Sequence, residues 1–247
     1  MTATPQVLVL GGTGRTGSLV LTQLLDRGVP VLAIVRSADR LPDGVVGNAQ
    51  LTVVEADPLA LTVEELARHL DGCTTVISCL GHTISAKGVL GPPRDLVERA
   101  VRSVRAAVAA APPARPVRLI LMSSVSVNQP DHADTRRGRG ERAYMGLMRA
   151  AVPPARDNQR AADFLTVELG SSDSTIEWVI VRPDTLRDGA VREYEVTGEL
   201  AASLFRPEST RMTQVAHFMG ELATDDALWQ QWRGRMPVII DAAGARD

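Results

Sequence analysis

The sequence predicts an α/β fold, a doubly wound parallel sheet of the Rossmann type with a small C-terminal cap. Three observations carry this. Short β-branched runs alternate with segments of helical period along most of the 247 residues, the pattern of repeated βαβ units. Several of those runs are apolar almost throughout, as strands covered on both faces must be. A glycine-rich turn, "GGTGRTG", joins the first run to the first helical segment, where folds of this kind bind phosphate.

The strand segments are "QVLVLG" near 6–11, "VPVLAIVR" near 29–36, "LTVVEA" near 51–56 and "TTVISCL" near 74–80. "VRLILMSS" near 117–124 and "IEWVIVRP" near 176–183 continue the series. Between the first two, "GSLVLTQLLDRG" places Leu21, Leu24 and Leu25 on one helical face, with Gly28 as its stop. "LTVEELARHLDG" and "PRDLVERAVRSVRAAVAAA" are the next helices, the second opened by Pro93 near its first turn. Another runs through "RDNQRAADFLTVELG". The stretch 128–142, "NQPDHADTRRGRGER", has no apolar period and many loop formers, so a surface loop is expected there. After Pro183 the alternation stops. Residues 184–235 are read as a small substrate-side cap ending in the helix "TQVAHFMGELATDD", and 236–241 as a returning strand. The whole chain, 1–247, reads as one domain with its nucleotide-binding core over 1–183.

Composition narrows the function classes. A formal net charge of −2 leaves no electrostatic footprint for nucleic acid or an anionic membrane. No apolar run approaches the ~20 residues that span a bilayer, and "MTATPQ" is not a signal peptide; a cytoplasmic protein is expected. Cys73 and Cys79 lie in or beside an apolar run and read as buried reduced thiols. His132 and His217 show no metal-ligand spacing, and no metal site is assigned.

Gly11, Gly14 and Gly17 recur every third residue, with Thr13, Arg15 and Thr16 between them. After a strand and before a helix, such glycines permit a tight turn and close backbone approach to a pyrophosphate, which the helix N-terminus attracts. The end of the second strand then selects the dinucleotide. NAD binders tend to carry a carboxylate there, about twenty residues past the glycines, for the ribose hydroxyls. This chain carries Arg36 and Ser37 instead, and Arg15 can reach the same place from the glycine turn. Two arginines suit a dianionic 2′-phosphate, so NADP(H) is the expected cofactor; a solvated arginine pair is the competing reading.

With these residues in hand, the chain resembles the short-chain dehydrogenase/reductase superfamily, and within it the atypical, NmrA-like NAD(P)-binding branch. "GGTGRTG", "VRS", "EAD", "VISCLG", "LMSSVSV", "AADFL" and "WVIVRPDTL" occur in that family's order over nearly the whole chain. The resemblance implies that Asp57 sits by the adenine and that Leu80 and Gly81 line the adenosine ribose. It also implies that Arg182 and Pro183 end a strand beside the nicotinamide, and Ser123 and Asn158 complete the expected cofactor-binding set.

The departure lies in the catalytic residues. Oxidoreductases of that superfamily generally use a serine, a tyrosine and a lysine four residues after the tyrosine. The lysine lowers the tyrosine pKa, and the tyrosine exchanges a proton with the substrate oxygen. Ser124 matches the serine. Tyr144, however, is followed four residues on by Met148, and Tyr194 by Gly198; the single lysine, Lys87, precedes the serine. The positions of the absent tyrosine and lysine fall near Pro154 and Asn158. What remains for acid–base work is Ser124, His82 after the "CLG" strand end, and Tyr144. A surface or capping histidine and a core tyrosine are the competing readings. Asp157 and Asp184 flank the site as expected caps, and arginines 136, 137, 139 and 142 read as a solvated cluster or an anion-gripping lid.

Three functions follow. The first is an NADP(H)-dependent atypical oxidoreductase reducing a small carbonyl or enone, since hydride transfer needs only a positioned nicotinamide and an electron-poor carbon. The second is a non-catalytic NADP(H)-sensing regulator with a protein partner, and the third a non-redox cyclase or isomerase on the same fold.

Overall fold

The computed structural model describes residues 6–82, 91–130, 137–170, 173–203 and 205–242. The first half is a run of βα units. It comprises β1 (Gln6–Leu10), α1 (Arg15–Asp26), β2 (Val31–Val35), β3 (Leu51–Glu55), α2 (Val63–Leu70) and β4 (Cys73–Ser78). Then come α3 (Leu96–Ala110), β5 (Val117–Met122), α4 (Arg139–Ala151), α5 (Pro153–Asp163) and β6 (Ile176–Pro183). The C-terminal part holds β7 (Thr185–Arg187), β8 (Tyr194–Thr197), β9 (Ser209–Arg211), α6 (Met212–Thr224), α7 (Asp226–Trp232) and β10 (Val238–Asp241).

Eight strands form one sheet in the order β3-β2-β1-β4-β5-β6-β10-β8. All pairings are parallel except β10 with β8. The order reverses between β1 and β4, and at such a switch point the crevice outside the strand ends takes ligands. This is the Rossmann-like fold the sequence predicts. β7 and β9 make a separate parallel pair.

Alternation along the central strands explains why they carry apolar residues on both faces. In β1, Leu8 and Leu10 pack with α2, α3 and α5 through Leu66, Val101, Val104 and Ala161. Val7 and Val9 pack on the opposite face with Leu21, Leu24, Val215 and Met219 of α1 and α6. Each fully buried aliphatic side chain contributes roughly 1.5–3 kcal/mol, so neither layer is dispensable.

Three expectations change on contact with this packing. The stretch 184–235 is only partly a cap. Within α6, Val215, Ala216, Phe218, Met219 and Leu222 are buried against α1, so this helix is a layer of the core. The expected single last helix breaks at Asp225, whose carboxylate accepts from the Ala227 and Leu228 amides and starts α7. Residues 137–142 are not a solvated loop. Arg137 is buried, donating to the Val125 carbonyl and to Asn128 Oδ1, and Glu141 accepts from the Gly138 amide to open α4. Arg136 and His132 lie outside the described residues. Among the described residues no helix is long and apolar enough to cross a membrane.

Candidate functional site

The glycine turn is built by steric necessity. Gly11 has φ +80°, and a Cβ there would stand 2.7 Å from the Cys79 carbonyl carbon. At Gly17 it would stand 2.1 Å from the Gly11 carbonyl oxygen. These two glycines let α1 pack onto the turn and onto the end of β4. Gly14 is different. It is exposed, its amide donates to Gly11 O at 2.9 Å, and a Cβ would meet only that oxygen, at 3.2 Å. It caps α1 with no side-chain acceptor, and the first turn contains no carboxylate. The amides of Arg15, Thr16 and Gly17 therefore open α1 without a helical partner, a ready anion site. Thr16 is buried and Thr13 half-buried beside them.

At the end of β2, Arg36 is exposed and has no ion-pair or hydrogen-bond partner among the described residues. Arg15 is exposed too and pairs with Asp188 at 3.3 Å; so open a pair contributes little and yields readily to a stronger anion. Sequence reasoning missed Glu55. The β2–β3 register sets Val35 opposite Glu55, and the Glu55 carboxylate accepts from the Ala38 amide at 2.9 Å, just past Ser37. The strand end that lacked a carboxylate in its own sequence thus receives one from its neighbour. Its trace was the "EAD" at the end of the third strand. Asp57, in that same motif, is exposed and accepts from the Leu59 amide through Oδ1, leaving Oδ2 outward.

Across the switch point, Leu80 and Gly81 follow Cys79 past the end of β4, and the Leu80 amide lies beside Gly11. At the end of β5, Ser123 is buried and its hydroxyl has no partner among the described residues. An orphaned buried hydroxyl at a strand's carboxyl end, with the glycine cradle and the unpaired Arg36, fits a bound dinucleotide. Ser124, half-buried, shares a hydrogen bond with the Ser126 hydroxyl at 2.5 Å and accepts from the Ser126 amide. Ser126 was not singled out from the sequence, though "SSVSV" contains it. The Val125 amide donates to the Pro183 carbonyl, fastening this turn to the end of β6. Arg182, at the end of β6, is wholly buried and donates to the Met236 and Val127 carbonyls.

His82 is not a surface histidine. Its side chain is 6% exposed, and Nε2 lies 2.7 Å from Asp157 Oδ2, itself at 0%. Asp157 also accepts from the Val97 and Glu98 amides at 2.8 and 2.9 Å. It therefore caps α3 rather than its own helix, and this explains why α3 starts at Leu96 and not at Pro93. With the Asp157 carboxylate accepting, His82 donates through Nε2, and Nδ1 is turned away from Asp157.

Asn158 makes no side-chain hydrogen bond among the described residues; its neighbours do the work. Gln159 accepts from the Asn128 amide at 2.9 Å and donates to the Asn128 carbonyl. The expected lysine position thus lies one residue to either side of the groups that engage the site. Tyr144 is 46% exposed, its ring 6.2 Å from that of Phe205 and tilted to it; among the described residues no hydrogen bond joins it to Ser124 or His82. Tyr194 is remote, bonded to His217 on the β8 side of the sheet, and burial pushes its pKa up to about 12. Burial likewise raises Asp184, which accepts from the Thr185 and Glu208 amides. Lys87 lies outside the described residues. Among those described, no cluster of His, Cys, Asp and Glu could hold a metal ion.

A parallel sheet with a phosphate-sized glycine cradle at its switch point defines a Rossmann-type nucleotide-binding protein. The sequence matches the NAD(P)H-binding family over residues 11–226, and the chain belongs to that family. No curated protein matches it. Among solved structures, the oxidoreductase ylbE from Lactococcus lactis is 20% identical with a TM-score of 0.68, covering 96% of this chain and 91% of that one. ChuY, an anaerobilin reductase from Escherichia coli O157:H7, is 20% identical with a TM-score of 0.66, covering 98% and 100%. A wide-type short-chain dehydrogenase/reductase from Veillonella parvula, in complex with NADP, is 12% identical with a TM-score of 0.66, covering 98% and 97%. At these identities the likeness is one of fold.

Proposed function

We propose that this chain is an NADP(H)-dependent oxidoreductase of atypical type, reducing a small carbonyl or enone without a Tyr-x-x-x-Lys pair. The observation that carries it is the buried His82–Asp157 pair at 2.7 Å, held where the chain leaves β4 beside the glycine cradle. A histidine oriented by a buried carboxylate keeps one ring nitrogen in a defined protonation state, which a histidine merely capping a helix does not need. Family membership and reductases among the structural neighbours support redox chemistry.

When bound, the nicotinamide supplies a hydride. This chain's own residues do the rest. The glycine turn and the first amides of α1 bind the pyrophosphate, and Arg36 and Arg15 take the 2′-phosphate. Ser124, backed by Ser126, orients a substrate oxygen. His82 holds a proton at Nδ1 or a water, with Asp157 stabilising the imidazolium.

The test is a coupled one. NADPH should bind more tightly than NADH in calorimetry, and NADPH absorbance should fall with at least one member of a carbonyl and enone panel. Tight NADPH binding with no turnover across the panel would transfer the reading to an NADP(H)-sensing regulator. One observation favours that second reading: Tyr144, Leu147 and Phe205 are large apolar side chains left exposed, as a protein partner's contact would be.

A further inference from the structure

Between the start of α3, the end of α4 and the start of α5 lies a cavity of about 600 Å³. Arg94, Arg99, Arg156 and Arg160 line it with Pro153, and Asp95 is the one acidic residue among the described residues of its wall. Both α3 and α5 begin at the carboxyl end of the sheet, the end that also carries the glycine turn, Ser124 and His82. Four guanidinium groups converging on one concavity need an explanation, because their mutual repulsion is unfavourable without an anion among them.

For Arg99, Arg156 and Arg160, the present partners do not cancel that charge. Arg99 reaches Asp95 only at 4.0 Å and Arg160 reaches Glu98 at 3.8 Å, with both arginines at least half exposed. Arg156 donates to the carbonyls of Arg149 and Ala150, which end α4 and carry only the partial charge of a helix terminus. The α3 N-terminus is not the attractor, since its Val97 and Glu98 amides are already taken by Asp157. The arginines are. Helix α5 connects the cavity to the proposed reaction centre: Arg156 and Arg160, four apart, share the face that lines it. Asp157, the next residue, turns inward to His82.

We infer that this cavity binds a phosphate- or carboxylate-bearing group of the substrate carrying at least two negative charges. That class of substrate rests on the reductase reading above, whereas the anion site itself stands on the cavity and its arginines. Guanidinium forks suit planar carboxylates and phosphates alike, through paired charge-assisted hydrogen bonds.

The test is calorimetric titration of the full chain, saturated with NADPH, with pyrophosphate and separately with citrate. Saturating cofactor keeps the probes off the glycine turn. Saturable binding of either probe is expected, weakening as salt is raised and at least tenfold weaker in an Arg99→Gln/Arg160→Gln variant. Those two arginines hold no backbone carbonyl, so the variant should fold; its unfolding midpoint checks that. Preference for pyrophosphate would mark a phosphate-bearing substrate, and preference for citrate a polycarboxylate. Absence of binding, or binding that the double variant leaves intact, overturns the proposal, as does binding seen only when NADPH is absent. Should NADPH itself not bind, the titration is made on a Gly14→Val variant, in which the glycine turn is closed to anions. The cavity is then read independently of the cofactor.

Discussion

At the scale of single residues, the end of β2 decides the cofactor by a contest of charges. Arg36 stands free, whereas Glu55 is held at 2.9 Å by the Ala38 amide and has part of its charge already satisfied. The arginine should therefore win. Arg36→Ala is expected to remove most of the preference for NADPH over NADH, a loss of roughly 1.5–3 kcal/mol for a charge-assisted contact. Glu55→Gln should strengthen NADPH binding, by relieving repulsion of the 2′-phosphate. Calorimetric affinities for the two nucleotides check both. Catalysis is a second residue-scale matter. Ser124→Ala should cost more turnover than Tyr144→Phe, which is expected to lose less than about tenfold, short of the 10²–10⁴-fold typical of acid–base groups. Tyr144 is exposed and is followed four residues on by Met148, not by a lysine. A dead Tyr144→Phe enzyme beside a normal Ser124→Ala would reverse the assignment, and steady-state rates on the first active substrate decide it.

At the scale of elements, the strand-to-helix turn separates folding from binding. Gly17 has no room for a side chain, with backbone 2.1 Å from a would-be Cβ. Gly17→Val should therefore lower the unfolding midpoint markedly, because α1 must move off β4. Gly14 faces outward, so Gly14→Val should keep a near-normal midpoint while losing the thermal shift that NADPH produces. Thermal denaturation with and without nucleotide reads both in one experiment. Another element-scale device is Asp157, which ties α5 to α3 and to the β4 exit at once. Asp157→Asn keeps the shape but replaces an anionic acceptor of three donors with one amide oxygen and a mismatched NH2. A stability loss of about 1–3 kcal/mol is expected, measurable by denaturant unfolding.

At the scale of the whole molecule, the buried Cys73 and the half-buried Cys79 report on folding. Burial pushes the Cys73 thiol up to about 11, with Asp71 nearby adding to it, and the Cys79 thiol up to about 12. The unfolded chain releases those protons near the ordinary thiol value of 9.0, whereas the folded chain holds them. Their contribution to stability is thus fully present below pH 9 and is lost as pH rises toward 12. The unfolding midpoint should fall over that range, and alkylation by iodoacetamide at pH 8 should be slow until denaturant is added.

Periodicity alone specified the layered sheet: alternation in strands and 3.6-residue spacing in helices are local properties, carried by adjacent residues. The glycine turn was legible for the same reason, since Gly11 to Gly17 lie on one short segment whose steric demands are met within it and its neighbouring strand. Arg36 was legible as the residue at a strand's end. Tertiary structure decided what joins distant segments. His82 and Asp157 are 75 residues apart, and no local pattern distinguishes their pairing from a surface histidine and a helix cap. Glu55 reaches Ala38 only through strand register, and α6 enters the core only because α1 offers it an apolar face. Nothing local in the sequence marks Arg99, Arg156 and Arg160 as neighbours; the start of α3 and the start of α5 bring them around one cavity. Local sequence encodes backbone conformation, but a site is a convergence of side chains, and that depends on which elements pack together.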